Sequence, residues 1–396
     1  PYNQFIREQL AGDLLPAATP EMRDEQLIAT GFLAVGNKPL GEKSVTQFDL
    51  DVADDHIDAT FHAFLALSAN CARCHNHKFD PIPTQDYYSL VGIFRSTKIL
   101  GVVETNNRNE HGEGMPLGPD GVARMSEVKR IEKLMADITK ELAEVGKKRT
   151  ALLAELKKEG VNPAAKEKPD PATLSPELAE KLAEFASVDA KTQSANKELK
   201  TLKDSLPVAP EVAMAAQDRL ETMNSPLYFK GNEKEPRDEV PRGTLTAIKL
   251  PLAPIGPNES GRRQLADWIA SPENPLTGRV IVNRIWQHVF GRGLVETPDD
   301  FGWAGMKPSH PELLDDLAAQ FVRNGWDMKG LIRELVLSQT YRMSSDTPAG
   351  TKGATVDAGN ILLWRASRKQ LQFEPVRDTI LHLGGCLLYT SDAADE

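Results

Sequence analysis

The chain has no net positive charge, no long apolar run and none of the common hydrolase or nucleotide-binding signatures. It carries 57 acidic and 47 basic residues, which gives a net charge of -10. Because binding to phosphate backbones needs clustered Lys and Arg, this balance argues against nucleic acid as a partner. No apolar run reaches the roughly 18 residues expected of a membrane-spanning helix. The absence of G-x-S-x-G, Walker and H-E-x-x-H patterns removes the enzyme classes that they mark.

Cysteine is also scarce, and the two ends of the chain are unusual. Residue 1 is Pro, and no charged and apolar leader precedes the amphipathic stretch 2–15, so we expect the natural chain to begin upstream. At the other end, residues 386–396 show no helical pattern, and we interpret them as a non-native tail. Excluding Cys386 leaves two of the three cysteines, and these lie three residues apart.

Hydrophobic periodicity predicts a mainly α, multidomain fold with a coiled-coil helical hairpin and a small β-containing segment. The predicted domains are a helical domain at 1–100, the hairpin at 121–206, the β-containing segment at 207–256 and a helical domain at 257–385. Residues 101–120 are rich in Gly, Asn and Glu and are predicted to form a loop.

The hairpin prediction rests on two runs of apolar residues at spacings of three and four. The first run is Val128, Ile131, Met135, Ile138, Leu142, Val145, Leu152 and Leu156, and the second is Leu178, Leu182, Phe185, Thr192, Ala195, Leu199, Leu202 and Leu206. Ser175 followed by Pro176 predicts the start of the second helix. A charged helix pair of this kind is typical of a spacer or arm.

Local signals predict the other elements. One helix is expected to begin near His56, capped by Asp51, Asp54 or Asp55, and to run into Cys71. The remaining signals predict a helix capped by Thr84, strands at 212–214, 227–229 and 244–250, helices at 265–269, 280–290 and 371–383, a capping box at 309–312 and a helix capped by Asp327.

Residues 71–77 read CARCHNH and carry the main chemical signal. The pattern C-x-x-C-H is the attachment signature of c-type haem. Two cysteines three apart lie on one side of a helical turn, where their sulfurs can bond to two neighbouring vinyl groups. The following histidine can then bind the iron axially. The pattern therefore predicts covalent haem on Cys71 and Cys74, with His75 as the iron ligand.

Three other interpretations of the same residues stay open. A zinc site could use Cys71 and Cys74 with His56, His62, His77 or Asp80, although adjacent Cys74 and His75 strain tetrahedral geometry. A thioredoxin-like redox pair would need a βαβ context, which the sequence lacks. A simple disulfide would suit an exported protein. A second axial ligand is not assigned; the candidates are His56, His62, Met115 and Met125.

In the C-terminal region, Asn283, Arg284, Gln287 and His288 fall on or near one helical face, close to Trp286. One interpretation is a binding pocket or a contact with the haem domain. The favoured interpretation is a buried polar network that fixes the helices, with Trp286 in the core, because buried polar groups must be paired whatever their function.

The chain resembles a known pair of domains. The segments that carry the resemblance are PYNQFIREQLAGDLL at 1–15, CARCHNHKFDPIP at 71–83, DYY at 86–88, GIF at 92–94, NPLTGRVIVNRIWQH at 274–288, FGRGLV at 290–295, TPDDFG at 297–302, SHPELL at 309–314 and QTYR at 339–342. They are similar to the planctomycete-type cytochrome domain of unknown function and its usual C-terminal partner domain. The resemblance covers about residues 1–100 and 207–385.

The resemblance implies an exported, periplasmic or extracytoplasmic protein that is redox-linked and connected with polysaccharide breakdown. It gives a role to Cys71, Cys74 and His75 alone. The sequence departs from the family pattern at His56, His62 and Gly278, where Gln- or Arg-like residues and Ala are usual.

Two functional hypotheses follow. The first is a c-type haem-binding electron-transfer or oxidoreductase component with a redox partner that the sequence does not identify. The second is a non-haem scaffold or interaction protein whose Cys/His cluster binds zinc or forms a structural disulfide.

Overall fold

The structure is a computed structural model that describes residues 1–36, 41–100, 114–163, 174–348 and 350–386. The prediction of a mainly helical fold is confirmed. The helices of eight or more residues are α1 (Tyr2–Ala11), α2 (Pro20–Ala29), α4 (Val45–Leu65), α5 (Thr84–Arg95), α6 (Gly121–Lys158), α7 (Pro176–Ser205), α8 (Arg262–Ile269), α9 (Thr277–Phe290), α10 (Pro311–Arg323), α11 (Met328–Leu337) and α13 (Phe373–Leu383). Two shorter helices are α3 (Gly31–Ala34) and α12 (Lys352–Val356). Within these ranges no helix is both long and apolar enough to cross a bilayer.

The strands within the described ranges form three antiparallel pairs. The strands are β1 (Thr97–Leu100), β2 (Met115–Pro116), β3 (Val212–Ala213), β4 (Ala215–Asp218), β5 (Ser225–Tyr228) and β6 (Pro236–Val240). β1 pairs with β4, β2 with β3 and β5 with β6. The strand predicted at 244–250 is wrong. Leu245 is buried there, and both the backbone N–H and the hydroxyl of Thr246 donate to Asp86, so side-chain contacts take the place of a strand ladder.

Contacts divide the chain into two units. The first contains Pro1–Pro16, Gln26–Gly112 and Ala215–Glu396, and the second contains Ala17–Glu25 and Glu113–Met214. In the first unit, one hydrophobic core collects residues from both ends of the chain, such as Ile6, Phe61, Tyr88, Val282 and Phe321. The segments that resemble the two domains therefore share this core.

A buried ion triad ties together three parts of the first unit. Arg262, at the start of α8, is fully buried and donates to both carboxylate oxygens of Asp13 at 2.8 Å. It also donates to Asp218, at the end of β4, at 2.7 Å and to the carbonyl of Leu10 at 3.1 Å. A buried guanidinium needs such partners because its desolvation is costly.

The second unit is built on the helical hairpin of α6 and α7, which confirms that prediction. Ser175 caps α7 by accepting a hydrogen bond from the Leu178 N–H, as the sequence predicted. The helices run antiparallel, because Lys148 pairs with Glu184 while Lys181 pairs with Glu155. The core of the hairpin contains Leu152, Leu156, Val161, Phe185 and Val188. Residues 164–173 of the predicted turn lie outside the described ranges.

The predicted bounds of the helix before the cysteines are wrong at both ends. α4 begins eleven residues earlier than expected, because Ser44 accepts the Gln47 N–H as an N-cap. It stops at Leu65, since Ala66 adopts a left-handed conformation with φ of 50°. Asp51, Asp54 and Asp55 are thus interior residues of α4, and the helix does not continue into Cys71.

Other local predictions also need correction. Pro83, not Thr84, precedes α5, and Thr84 is its first residue. His310 precedes α10, and the Ser309 hydroxyl donates to the Leu294 carbonyl instead of forming a capping box. Asp327 does precede α11, but its side chain makes no capping hydrogen bond. Gly291 follows α9 in a left-handed conformation, which is common at the C-terminus of a helix. The predicted loop at 101–120 falls largely on residues outside the described ranges.

We predict that Arg262→Ala lowers the free energy of unfolding of the first unit by about 3 to 5 kcal/mol, because it leaves two paired carboxylates buried without their cation. All five tryptophans lie at or beyond residue 268, so tryptophan fluorescence during urea unfolding reports on this unit. Arg279→Ala is the control, since its pair with Asp315 is solvent-exposed and such pairs contribute about 0 to 1 kcal/mol. Equal effects of the two substitutions would contradict the prediction.

Candidate functional site

The Cys71–His75 segment is a single turn with two different sides. Residues Asn70–Arg73 form a short 3-10 helix, and Cys74 continues with a right-handed helical backbone. The outer side presents Cys71, Cys74 and His75, which are all exposed. Both cysteines are free thiols. On the inner side Ala72 is completely buried.

Arg73 anchors the turn to α4. Its guanidinium donates to Asp51 at 2.8 Å and lies 3.7 Å from Asp54, one helical turn later. Asp54 in turn accepts a hydrogen bond from the Tyr87 hydroxyl on α5. The arginine between the two cysteines therefore points inward, and this leaves both thiols on the outside.

Burial raises the pKa values of two side chains in this anchor, Tyr87 and Asp54. Burial raises the pKa of the Tyr87 hydroxyl well above its usual value, and the nearby Asp54 carboxylate raises it further. Burial also raises the pKa of Asp54, against the opposing effects of the Tyr87 hydrogen bond and the Arg73 charge. A phenol with a raised pKa stays protonated at neutral pH, so Tyr87 remains the donor in this pair.

Tyr88 holds the turn from a second direction. Its hydroxyl donates to the backbone carbonyl of Arg73 at 3.1 Å, while the carbonyl of Tyr228 lies 3.4 Å away. Burial raises the pKa of Tyr88 to about 12, so this hydroxyl also keeps its proton. The Tyr88 hydroxyl thus fixes the backbone of Arg73, and Asp51 fixes its side chain.

The two histidines of the motif have opposite hydrogen-bond roles. His75 Nδ1 lies 2.7 Å from the backbone carbonyl of Asn76. A carbonyl can only accept, so Nδ1 carries the proton and Nε2 keeps the lone pair that binds a metal. His77 Nδ1 instead accepts the Asp80 N–H at 2.8 Å, which places the proton of the neutral ring on Nε2. His75 therefore offers an exposed metal-binding nitrogen, whereas His77 supports the loop.

The two other histidines considered as ligands have hydrogen-bond or ion-pair partners of their own. His56 is buried, with Nε2 2.9 Å from the Leu33 carbonyl, and its ring contacts that of Phe94. His62 pairs with Asp58 at 2.9 Å. Met115 and Met125 belong to the second unit. Among the described residues, no group of three or more His, Cys, Asp and Glu side chains could hold a metal ion, so the zinc interpretation gains no ligand set.

Asp80 connects the end of the motif with the C-terminal segment. Its carboxylate accepts the Trp303 N–H at 2.6 Å. The same carboxylate lies so close to Gly302 that a Cβ there would be 2.5 Å from its oxygen. The neighbouring Phe301 N–H donates to the carbonyl of Ala66 at 2.8 Å. Residues 301–303 therefore dock against both ends of the segment that contains the cysteines.

Arg284 and Asn283 have structural partners. Arg284 donates to the carbonyls of His62 and Ala63, in the last turn of α4, and pairs with Asp299 at 3.0 Å. Asn283 exchanges two hydrogen bonds with the backbone of Val295, at 2.8 and 2.9 Å. For Asn283 and Arg284 these contacts agree with the favoured interpretation of a polar network that fixes helices, and Trp286 lies in the core beside them. The interpretation is wrong for His288, which is exposed, and Gln287 is half-buried.

An open cavity of about 440 Å³ lies beside the loop that follows His75. Its lining residues are Asn76, His77, Asp80, Pro81, Ile82, Pro83, Thr246, Ala247 and Lys249. Sequence reasoning did not identify Thr246 or Lys249, because nothing in the sequence shows that residues so far apart meet. It also missed Arg73, although carboxylates three apart at Asp51 and Asp54 are a signal for a basic partner.

Comparison with known families agrees with the resemblance at the level of the domains. Residues 1–99 match the family described as PSCyt2, a protein of unknown function (DUF1549), and residues 261–392 match the family described as PSD1, a protein of unknown function (DUF1553). These descriptions assign no cofactor and no activity. No curated protein and no solved structure matches the chain.

We predict that Gly302→Ala lowers the free energy of unfolding of the first unit by about 1 to 3 kcal/mol, because the added methyl group collides with the Asp80 carboxylate. Gly278→Ala is the matched control. Its added Cβ would meet Val322 and Ala318 at ordinary distances of 3.5 and 3.7 Å. Because Gly278 lies in the first turn of α9, its replacement should change the free energy of unfolding by no more than about 1 kcal/mol. Urea unfolding followed by tryptophan fluorescence measures both, and a stabilising Gly302→Ala would contradict the predicted contact.

Proposed function

We propose that the Cys71–His75 turn is a covalent attachment site for c-type haem, and that the chain is an electron-transfer or oxidoreductase component of an exported protein. The observation that carries this proposal is the two-sided turn. Ala72 and Arg73 are locked inward, while Cys71, Cys74 and His75 face solvent. This is the arrangement that a covalently bound external group requires.

Two further features fit haem. Both cysteines are free thiols that can react. The His75 ring has its lone pair on Nε2, because Nδ1–H is held by the Asn76 carbonyl. Histidines that bind metals usually donate their other ring N–H in this way, which fixes the orientation of the ring.

The attachment chemistry is an addition. Each of the Cys71 and Cys74 thiols would add across one vinyl group: a sulfur–carbon bond would form, the S–H bond would break, and its hydrogen would go to the terminal vinyl carbon. No electron is gained or lost overall, and no oxidant is needed. When bound, haem would supply one-electron redox chemistry, and its potential would depend on the His75 ligand and on solvent exposure.

The exposure of the turn favours electron transfer over substrate chemistry. A group bonded to exposed thiols keeps an edge at the protein surface, where a separate redox partner can approach it. The identity of that partner, the extracytoplasmic location and the link to polysaccharide breakdown belong to the same proposal and rest on the resemblance alone.

We predict that the full chain, exported by a bacterial host with c-type maturation machinery, keeps a haem stain on a denaturing gel. Replacing both Cys71 and Cys74 by Ser should abolish the stain, because no thioether bond remains. Cys386→Ser is the matched control, since Cys386 is also an exposed free thiol but lies outside the motif. It should leave the stain unchanged.

The haem hypothesis and the scaffold hypothesis predict different outcomes of this experiment. A colourless wild-type protein with one equivalent of zinc by elemental analysis would overturn the haem proposal and favour the scaffold alternative. A stain that persists after both cysteines are replaced would show that any haem is held elsewhere.

We also predict that His75→Ala retains covalent haem but shifts its Soret absorbance, because the iron loses its proposed protein ligand. His288→Ala serves as the control, since His288 is also exposed but lies on α9. Absorbance spectra of the oxidised and reduced proteins provide the measurement. An unchanged spectrum of the His75→Ala variant would remove His75 as the ligand.

A further inference from the structure

We propose that Gly231 determines whether the Cys74 sulfur can form its thioether bond, which makes Gly231 a positioning residue for the second attachment point. This inference rests on the proposed haem function. A Cβ at Gly231 would lie 3.0 Å from Cys74 Sγ and 3.5 Å from Arg73 Cγ. Carbon and sulfur rarely approach so closely, so a side chain at this position requires the thiol or the turn to shift by a few tenths of an ångström.

Gly231 belongs to a tight turn between β5 and β6. Lys230 and Gly231 both have left-handed backbones, with φ of 50° and 73°. Glycine adopts this conformation without the steric cost that a Cβ imposes. The hairpin therefore presents bare backbone, and not a side chain, to the Cys74 thiol.

Several contacts oppose a movement of the turn that carries Cys74 away from Gly231. Ala72 is completely buried behind it, and Arg73 is held through its guanidinium by Asp51 and through its carbonyl by Tyr88. A movement of the turn away from Gly231 would lengthen these hydrogen bonds, whereas a rotation of the Cys74 side chain leaves them unchanged.

The hairpin is held as well. The Phe229 N–H donates to the Glu235 carbonyl at 3.0 Å and closes the loop. The Tyr228 ring packs against that of Tyr88 with centroids 5.8 Å apart. The Ser44 hydroxyl, at the start of α4, donates to Glu233. The least costly response to a methyl group at Gly231 is therefore a rotation of the Cys74 side chain.

Such a rotation makes the two thiols differ in their ability to react with a vinyl group. The nearest atoms around Gly231 belong to Cys74 and Arg73, not to Cys71. With Sγ displaced, Cys71 still adds to its vinyl group, whereas Cys74 keeps its S–H bond. The second vinyl group then remains intact and conjugated with the ring.

The test compares Gly231→Ala with Gly325→Ala in the full chain, exported by a host with c-type maturation machinery. Gly325 is the matched control because its φ is 75°, yet a Cβ added there would have no neighbouring atom within 4 Å. Proteolysis and mass spectrometry identify the attached cysteines. For Gly231→Ala we expect haem on Cys71, alkylatable Cys74 and a red-shifted pyridine haemochrome band. Gly325→Ala should show both bonds, and two bonds in Gly231→Ala would overturn the proposal.

A second measurement does not depend on haem. In the reduced apoprotein, iodoacetamide should alkylate Cys74 at a rate that changes severalfold relative to Cys71 in the Gly231→Ala variant, and not in the Gly325→Ala variant. If the wild-type chain binds no haem, the haem function fails, and this ratio alone decides whether Gly231 positions Cys74. An unchanged ratio would overturn the positioning role.

If Gly231→Ala does not fold, the double variant Cys74→Ala with Gly231→Ala decides the matter. Removing Sγ removes the atom that the new methyl group meets first, so far-ultraviolet circular dichroism should recover the wild-type helix content. A double variant that remains unfolded would show that Gly231 serves the hairpin and not the thiol.

Discussion

The hydrogen-bonded ion pair between Arg73 and Asp51 is the contact on which the candidate site depends. Because the guanidinium is drawn toward α4, the two residues between the cysteines point inward and both thiols point outward. Asp54, Tyr87 and Tyr88 complete the anchor on neighbouring helices. The chemistry of the turn is thus set by a residue whose identity the C-x-x-C-H pattern leaves open.

The C-terminal segment takes part in the same construction. Arg284 satisfies the last carbonyls of α4, which would otherwise lack hydrogen-bond partners at the helix end. Gly302 and Trp303 accommodate and bind the carboxylate of Asp80. The stretches that match two separate families therefore meet in one core, and this gives a physical reason for their occurrence in one chain.

Hydrophobic periodicity in the sequence predicted helices correctly where buried residues recur at a regular spacing. The α6–α7 hairpin and the end of α9 at Phe290 agree with their predictions. The bounds of α4 did not, because Ser44 and the left-handed Ala66, not the aspartates, define its ends. Residues 244–250 look β-prone, yet hydrogen bonds from Thr246 to Asp86 hold them outside any strand. In these places a tertiary contact outweighed local preference.

By itself, the sequence determined that two cysteines and a histidine share one turn, because all three lie within residues 71–75. Only the tertiary structure decided which way that turn faces, because Asp51 and Tyr88 reach it from separate helices. It likewise decided that His75 and His77 hold their protons on different nitrogens. Gly231 and Cys74 lie far apart along the chain, and no local pattern encodes a contact that folding alone creates.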